Sequence, residues 1–276
     1  MNILLTNDDG IRAPGILSLH RALAGAMPGH AADPLGEITT IAPATVQSAT
    51  SHGITFHEPL MTRPADVNGS AGIAVDGRPA DCVKVGLTNL WPERFGDGSL
   101  PDLVISGMNA GANCGINVIY SGTVAAALEA AFLGVPAIAV SLHLEGGYTA
   151  DAPSPDFDRA ALLARRIIDT LLAGGLPNRH EVLSINLPAT GSWADPDSVE
   201  IVACPMNTHA LVDKYERRTA PDGSVYYWAA GHGLDFVGAD DGTDVAALFE
   251  RKATVTPLKF DLTREDRLGF WRDRLS

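Results

Sequence analysis

The sequence predicts an α/β fold with a doubly wound, mostly parallel sheet and a C-terminal β-hairpin arm. Short β-rich runs alternate along the chain with helical patterns, and those runs are apolar nearly throughout, as strands covered by helices on both faces must be. The alternation breaks after about residue 190, where a long aromatic hairpin pattern begins.

The strands are read at NILLT (2–6), EITTIA (37–42), DLVIS (102–106), PAIAVSL (136–142) and EVLSINL (181–187). Between them, PGILSLHRALAGAM (14–27) opens with Pro14 as a helix does, and TVAAALEAAFLG (123–134) runs from Thr123 to a closing Gly134. FDRAALLARRIIDTLLAGG (157–175) is the clearest amphipathic helix. Strand, helix, strand in this order implies right-handed crossovers.

Further on, KYERRTAPDGSVYYWAAG (214–231) reads as two strands around the turn Pro221-Asp222-Gly223. An isolated hairpin is marginally stable in water, so Tyr226, Tyr227 and Trp228 should pack on something, with a partner subunit as the natural candidate. DVAALFERK (244–252) reads as a helix, ATVTPLKFDLT (253–263) as a strand, and a polar helix ends the chain. The stretches near 28–36, 145–156 and 188–198 read as surface loops, with no internal repeat. The expected organisation is an α/β core over 1–190 that carries the site. The C-terminal region, 191–276, holds the arm at about 212–231, a returning strand and a terminal helix, and is not an independent domain.

The 276 residues suffice to bury a sizeable core. A formal charge of −13 disfavours a nucleic-acid polymer or an anionic membrane as partner, and an acidic protein that handles an anionic substrate gains from a bound divalent cation that reverses the local field. Cys82, Cys114 and Cys204 are far apart and odd in number, which suggests small buried apolar residues and neither a disulfide framework nor a thiolate zinc site. No basic n-region precedes NILLT and no apolar run approaches the roughly 20 residues that span a bilayer, so a reducing, cytoplasmic location is expected.

In an open parallel sheet, ligands bind beyond the carboxyl ends of the strands, which directs attention to three loops. They are Asn7-Asp8-Asp9-Gly10, APATVQSATSHGIT (42–55) and SGMNAGANCGINVIYSGT (106–123), rich in oxygen ligands and poor in positive charge. Asp followed by Gly commonly makes a turn. Two neighbouring carboxylates nevertheless repel unless a cation, a proton or hydrogen bonds relieve them, and Mg²⁺, Mn²⁺ or Ca²⁺ suits them better than zinc. In the third loop, Gly107, Gly111 and Gly115 with Asn109 and Asn113 permit sharp turns that aim N–H groups inward, an anion-binding concavity. Ser121-Gly122-Thr123 then opens a helix whose start favours a phosphate, or serves as an ordinary cap. Neither GxGxxG nor GK[ST] is present, and no histidine pairs with a Ser or Cys in a GxSxG-type motif. Ser48, His52 and His209 lie in polar loops; a solvated or capping side chain is the plainer reading for Ser48 and a surface position for His209, while either histidine could assist.

The stretches ILLTNDDGIRAPGI (3–16), IAP…QS…HGIT (41–55), DGRPADCVKVGL (76–87), PDLVISGMNAGANCG…VIYSGTVAAALEA (101–130) and VTPLKFDLT (255–263) resemble the SurE, or stationary-phase survival, proteins. That resemblance implies a Rossmann-like domain with a swapped C-terminal arm, assembled as a homodimer or homotetramer. It also implies a metal-dependent 5′-nucleotidase with broader phosphomonoesterase activity. By match of motif, Asp8, Asp9, Ser48 and Asn109 would be the ligands of one divalent ion per subunit, Mg²⁺ or Mn²⁺ foremost and Ca²⁺ as an alternative occupant. Asn7, Gly107, Asn113, Ser121, Gly122 and Thr123 would surround the phosphate, and Asp8 or Asp9 would orient or deprotonate the attacking water. Three departures stand out. The family usually has an acidic then a basic residue after the Ala-Pro of the second strand and a glycine after the metal-binding serine, where this chain has Ala44, Thr45 and Ala49; Arg251-Lys252-Ala253 replaces a common Gly-Tyr-Val.

The expected reaction is hydrolysis of a nucleoside 5′-monophosphate to nucleoside and phosphate. Its rivals are a catalytically weak or silent metal- and nucleotide-binding protein, a phosphatase of other small phosphate monoesters, and, less well supported, a sugar-nucleotide transferase.

Overall fold

The computed structural model describes residues 1–144, 154–212, 214–230 and 236–276. A nine-stranded sheet forms its centre, built from β1 (Asn2–Thr6), β2 (Glu37–Pro43), β3 (Thr62–Val67), β4 (Ser70–Val75), β5 (Leu103–Ala110), β6 (Ala137–Leu142), β7 (Val182–Leu187), β8 (Ile201–Ala203) and β11 (Ala253–Leu258). Their order is β3-β4-β2-β1-β5-β6-β7-β11-β8. The five strands read from sequence, β1, β2, β5, β6 and β7, pair in parallel with one another. Within this sheet, among the described residues, β3 on β4 and β11 on β7 are the antiparallel pairs. From β1 the chain builds outward through β2 and then returns to lay β5 on the other side of β1. The crevice between β1 and β5 is therefore the switch point of the sheet.

Alternation along β1 divides the core. Ile3 and Leu5 face one layer, packed with Ile16 and Leu19 of α1 (Pro14–Leu23) and with Leu163 and Ile167 of α5 (Phe157–Leu172). Leu4 faces the other, packed with Val83 of α2 (Pro79–Val85), Trp91 of α3 (Trp91–Phe95) and Val124 and Ala127 of α4 (Gly122–Phe132). The alanines of α4 make a smooth face that lies close to the sheet.

Differences from the sequence reading have local causes. The first helix stops at Leu23, short of residue 27, because Gly25 takes φ 68° and turns the chain. The third strand runs on to Ala110 through an irregularity between Ser106 and Asn109, so part of the expected loop is strand. The β3–β4 hairpin escapes the apolar pattern. It is an edge element with Pro64 and a largely exposed first strand, and its two-residue turn, Asn68-Gly69, has both φ values positive.

The arm is an antiparallel pair, β9 (Tyr215–Thr219) and β10 (Val225–Ala229), around Pro221-Asp222-Gly223. Every one of its strand residues is exposed in the single chain. Residue 231 and most of the loop expected at 145–156 lie outside the described residues. After the arm come α6 (Asp244–Phe249), β11 and α7 (Glu265–Leu275), which buries none of its residues. Strands β8 and β11 join the core sheet beside β7. Cys82, Cys114 and Cys204 are free and buried, and no helix among the described residues is long and apolar enough to cross a membrane.

Candidate active site at the sheet switch point

Strands β1 and β5 run side by side with Thr6 opposite Ser106, so the loops that follow them emerge together. Asn7, fully buried, donates its side-chain N–H to the carbonyl of Gly10 at 2.9 Å and closes the turn that carries Asp8 and Asp9. Asp8 is buried. Thr123 donates its N–H to Asp8 Oδ2 at 3.1 Å and its hydroxyl to Oδ1 at 2.6 Å. Gly122 makes this approach possible, since a Cβ there would lie 2.9 Å from Asp8 Cβ. Asp9 is less buried and, among the described residues, accepts one hydrogen bond, from the N–H of Ala110 to Oδ2 at 2.9 Å.

Burial pushes the Asp8 carboxyl up to about 6, the Thr123 hydrogen bond opposes the rise, and the neighbouring charge of Asp9 adds to it. Burial likewise raises Asp9, against the pull of the Ala110 N–H. Among the described residues neither carboxylate has a cationic partner.

Asn109 donates its side-chain N–H to the carbonyl of Gly111 at 2.6 Å, which leaves its amide oxygen to face away from that bond. Ser48 is exposed, and no hydrogen bond among the described residues joins it to the carboxylates. Its loop is nevertheless stitched to the site. Gln47 N–H donates to the Asp8 carbonyl at 2.7 Å, and Ser51 donates to the carbonyls of Ile119 and Tyr120 at 2.6 and 3.1 Å. Ala49 and Ser51 in this loop take left-handed φ values of 56° and 54°. His52 turns away from the carboxylates and bonds through Nε2 to Glu129 of α4 at 2.8 Å, where Lys84 also binds. His209 pairs with Asp240 at the surface.

The concavity expected in the glycine-rich loop is built differently. The N–H groups of Ala110, Gly111, Asn113 and Gly115 are already donated, to Asp9, Leu142, Asn186 and Asp244 respectively. Gly107 serves close packing, since a Cβ would meet the Val140 carbonyl at 2.3 Å. Ser121 caps α4 by accepting from the Val124 N–H at 3.0 Å. Among the described residues, donors that remain open to an anion include the second Asn113 Nδ2 hydrogen, the Ser121 hydroxyl and the N–H of Gly122, first in its helix and unable to find a partner within it. Asn113 is fixed from two strands: Asn186 of β7 pairs with its backbone, and Ser141 of β6 accepts from its Nδ2 at 2.8 Å. The sequence reading missed Ser141, Asn186 and Asp244. A polar residue at the carboxyl end of an otherwise apolar strand was the signal for the first two.

A divalent cation fits the oxygen set. Asn7 Oδ1 is buried without a hydrogen-bond partner beside two adjacent carboxylates, and the other nearby donors are amide and hydroxyl oxygens. Among the described residues no group of three or more His, Cys, Asp or Glu converges, so the carboxylate pair needs amide and hydroxyl oxygens to complete a cation's shell.

Fold and site together define a Rossmann-like α/β protein with an oxygen-lined site at the switch point of its sheet. The family model for survival protein SurE matches residues 3–211. The 5′-nucleotidase SurE of Rhodopirellula baltica is 42% identical over 279 residues, covering 99% of this chain and 98% of that protein. The namesake from Desulforudis audaxviator is 40% identical over 271 residues, covering 97% and 95%. Among solved structures, the SurE protein from Aquifex aeolicus superposes with a TM-score of 0.78 at 30% identity and full coverage of both chains. The chain belongs to the SurE family.

Proposed function

We propose that the chain is a metal-dependent 5′-nucleotidase, a phosphomonoesterase that hydrolyses nucleoside 5′-monophosphates to nucleoside and phosphate. One observation carries the reading: two adjacent carboxylates and the start of α4 meet at the β1–β5 crevice, with Thr123 bonded directly to Asp8. The names of the full-length relatives support it.

In this reading Asp8, Asp9, Ser48 and Asn109 hold one divalent ion per subunit, Mg²⁺ or Mn²⁺ by donor chemistry. When bound, the ion supplies positive charge beside the phosphate and acidifies water. Asp9, with one carboxylate oxygen accepting no hydrogen bond among the described residues, orients the attacking water and takes its proton. Asp8, both oxygens tied to Thr123, acts as a fixed ligand. The Asn113 side chain and the Gly122 N–H stabilise charge on the phosphate oxygens, aided by the helix dipole, while the water oxygen bonds to phosphorus, the ester P–O bond breaks and the nucleoside oxygen takes a proton from solvent, to which Asp9 returns the one it took. Asn7, Gly107, Ser121 and Thr123 shape this pocket.

The same reading includes a homodimer or homotetramer assembled through the arm and a cytoplasmic location, supported respectively by the exposed aromatic hairpin and the three free thiols. The test is release of inorganic phosphate from a panel of monophosphates. Activity with Mg²⁺ or Mn²⁺ that chelator abolishes and metal restores is expected. Nucleotide binding without phosphate release would establish the silent binding protein instead.

A further inference from the structure

Asp244, at the first position of α6, is almost wholly buried, and the mechanism above does not use it. Its oxygens accept three backbone N–H groups: Gly115 to Oδ2 at 2.8 Å, Asn207 to Oδ1 at 2.7 Å and Val245 to Oδ1 at 2.8 Å. No cation pairs with it among the described residues. A carboxylate kept in such a place costs desolvation, so the groups it holds identify what it contributes.

The first of them, Gly115, closes the loop that begins at Gly107. Its φ of 55° is left-handed, and a Cβ there would lie 2.8 Å from the Phe236 ring. Two residues earlier stands Asn113, whose side chain keeps one N–H open to an anion. The second, Asn207, precedes the arm, while Asp244 itself follows it; the two residues bracket the segment that carries β9 and β10. Around them Cys114, Val245 and Leu248, with Ala112 and Phe236, make a small apolar cluster separate from the main core. The outer wall of the glycine-rich loop is thus supplied by the C-terminal region. Apolar packing is non-directional, whereas one carboxylate accepting from both segments fixes their relative register.

We propose that Asp244 is a positioning residue for phosphate binding, setting the Asn109–Asn113 turn through Gly115 and locking that geometry to the roots of the arm through Asn207. The inference rests on the phosphatase reading. Asparagine at 244 could accept from only one side and would turn its own N–H groups toward the other donor.

The experiment compares wild type, Asp244→Asn and Ile168→Ala, the last a core truncation in α5 remote from the loop. Phosphate binding is measured calorimetrically with inorganic phosphate and Mg²⁺, and KM and kcat with adenosine 5′-monophosphate. In Asp244→Asn, phosphate Kd and KM should rise about fivefold or more with kcat within about twofold, the pattern of lost binding that is equal in ground and transition states. Ile168→Ala should keep wild-type values while losing stability. Hydrogen exchange on the wild type adds a readout independent of any variant: phosphate should slow exchange at Gly115 and Asn207 together, since coupling between sites is reciprocal. Unchanged phosphate affinity in folded Asp244→Asn, an equal loss in Ile168→Ala, or protection confined to the 109–113 turn would each overturn the proposal. Wild-type protein that neither binds phosphate nor releases it from any monophosphate would overturn the phosphatase reading itself, and this proposal with it.

Discussion

Thr123 gives Asp8 two donors, the N–H at 3.1 Å and the hydroxyl at 2.6 Å, from a position with no solvent exposure. One carboxylate of the pair is thereby fixed before any ligand arrives. Thr123→Val keeps the shape and removes the hydroxyl. It should lower metal affinity or turnover by about 10- to 100-fold, as loss of a hydrogen bond behind a ligand does, with the fold retained. Mn²⁺ titration and circular dichroism measure the two. Asp8→Asn and Asp9→Asn should cost at least as much; full metal-dependent activity in both would remove the site assignment.

Ala49 stands in left-handed backbone, a conformation that favours glycine. The conformation costs an alanine roughly 1–2 kcal/mol, whereas glycine loses about 0.5–1 kcal/mol through its freer unfolded chain. The strain term is the larger, so Ala49→Gly should raise stability by about 0.5 kcal/mol in urea unfolding. A lowered midpoint would mean that the surrounding bonds from Ser51 and His52 leave no strain to relieve.

Glu129, buried beneath the 47–55 loop, binds His52 and Lys84. Burial raises its carboxyl, but the hydrogen bonds and charges of His52 and Lys84 prevail and hold it below its ordinary 4.5. A depressed folded value means that its stabilisation is full above the unfolded value and is lost as pH falls through the folded one. Glu129→Gln should therefore cost about 1–2 kcal/mol at pH 7, and the gap to wild type should close as pH falls through the depressed folded value. Unfolding at a series of pH values reads this directly; a constant gap would assign the effect to packing.

Asn186 pairs with both backbone groups of Asn113. Asn186→Leu leaves a buried N–H unpaired, which should cost about 1–3 kcal/mol and raise KM. Thermal unfolding and steady-state kinetics check the pair of effects. A loss of stability with unaltered KM would confine Asn186 to the fold.

The arm exposes Tyr215, Tyr227 and Trp228, each more than half accessible in the single chain. Contiguous aromatic surface of this kind marks an interface. Sedimentation should show a dimer or larger species at micromolar concentration, and Trp228→Ala should shift it toward monomer. A monomeric wild type would end the assembly reading.

The parallel strands were legible because β1, β5 and β6 are buried on both faces, so nearly every position in them is apolar. The β3–β4 hairpin was not, since an edge strand with proline and solvent on one face carries no such run. At the site, Asp8 and Asp9 were readable because adjacent carboxylates followed by glycine are chemically costly, and a cost of that kind advertises a purpose. The SurE stretches then joined them to Ser48 and Asn109.

By itself, the sequence determined the α/β class, the aspartate pair at the end of the first strand and the family. Tertiary structure alone decided how the loop amides are used. The sequence leaves the N–H groups of Ala110, Asn113, Gly115 and Thr123 open to an anion, but folding brings Asp9, Asn186, Asp244 and Asp8 within reach of them. Hydrogen-bond partners separated by 73 to 129 residues leave no trace in local pattern. They arise only when the sheet order places β5 and β6 between β1 and β7, strands that begin at Asn2 and Val182, and when the C-terminal region returns to cover the loop.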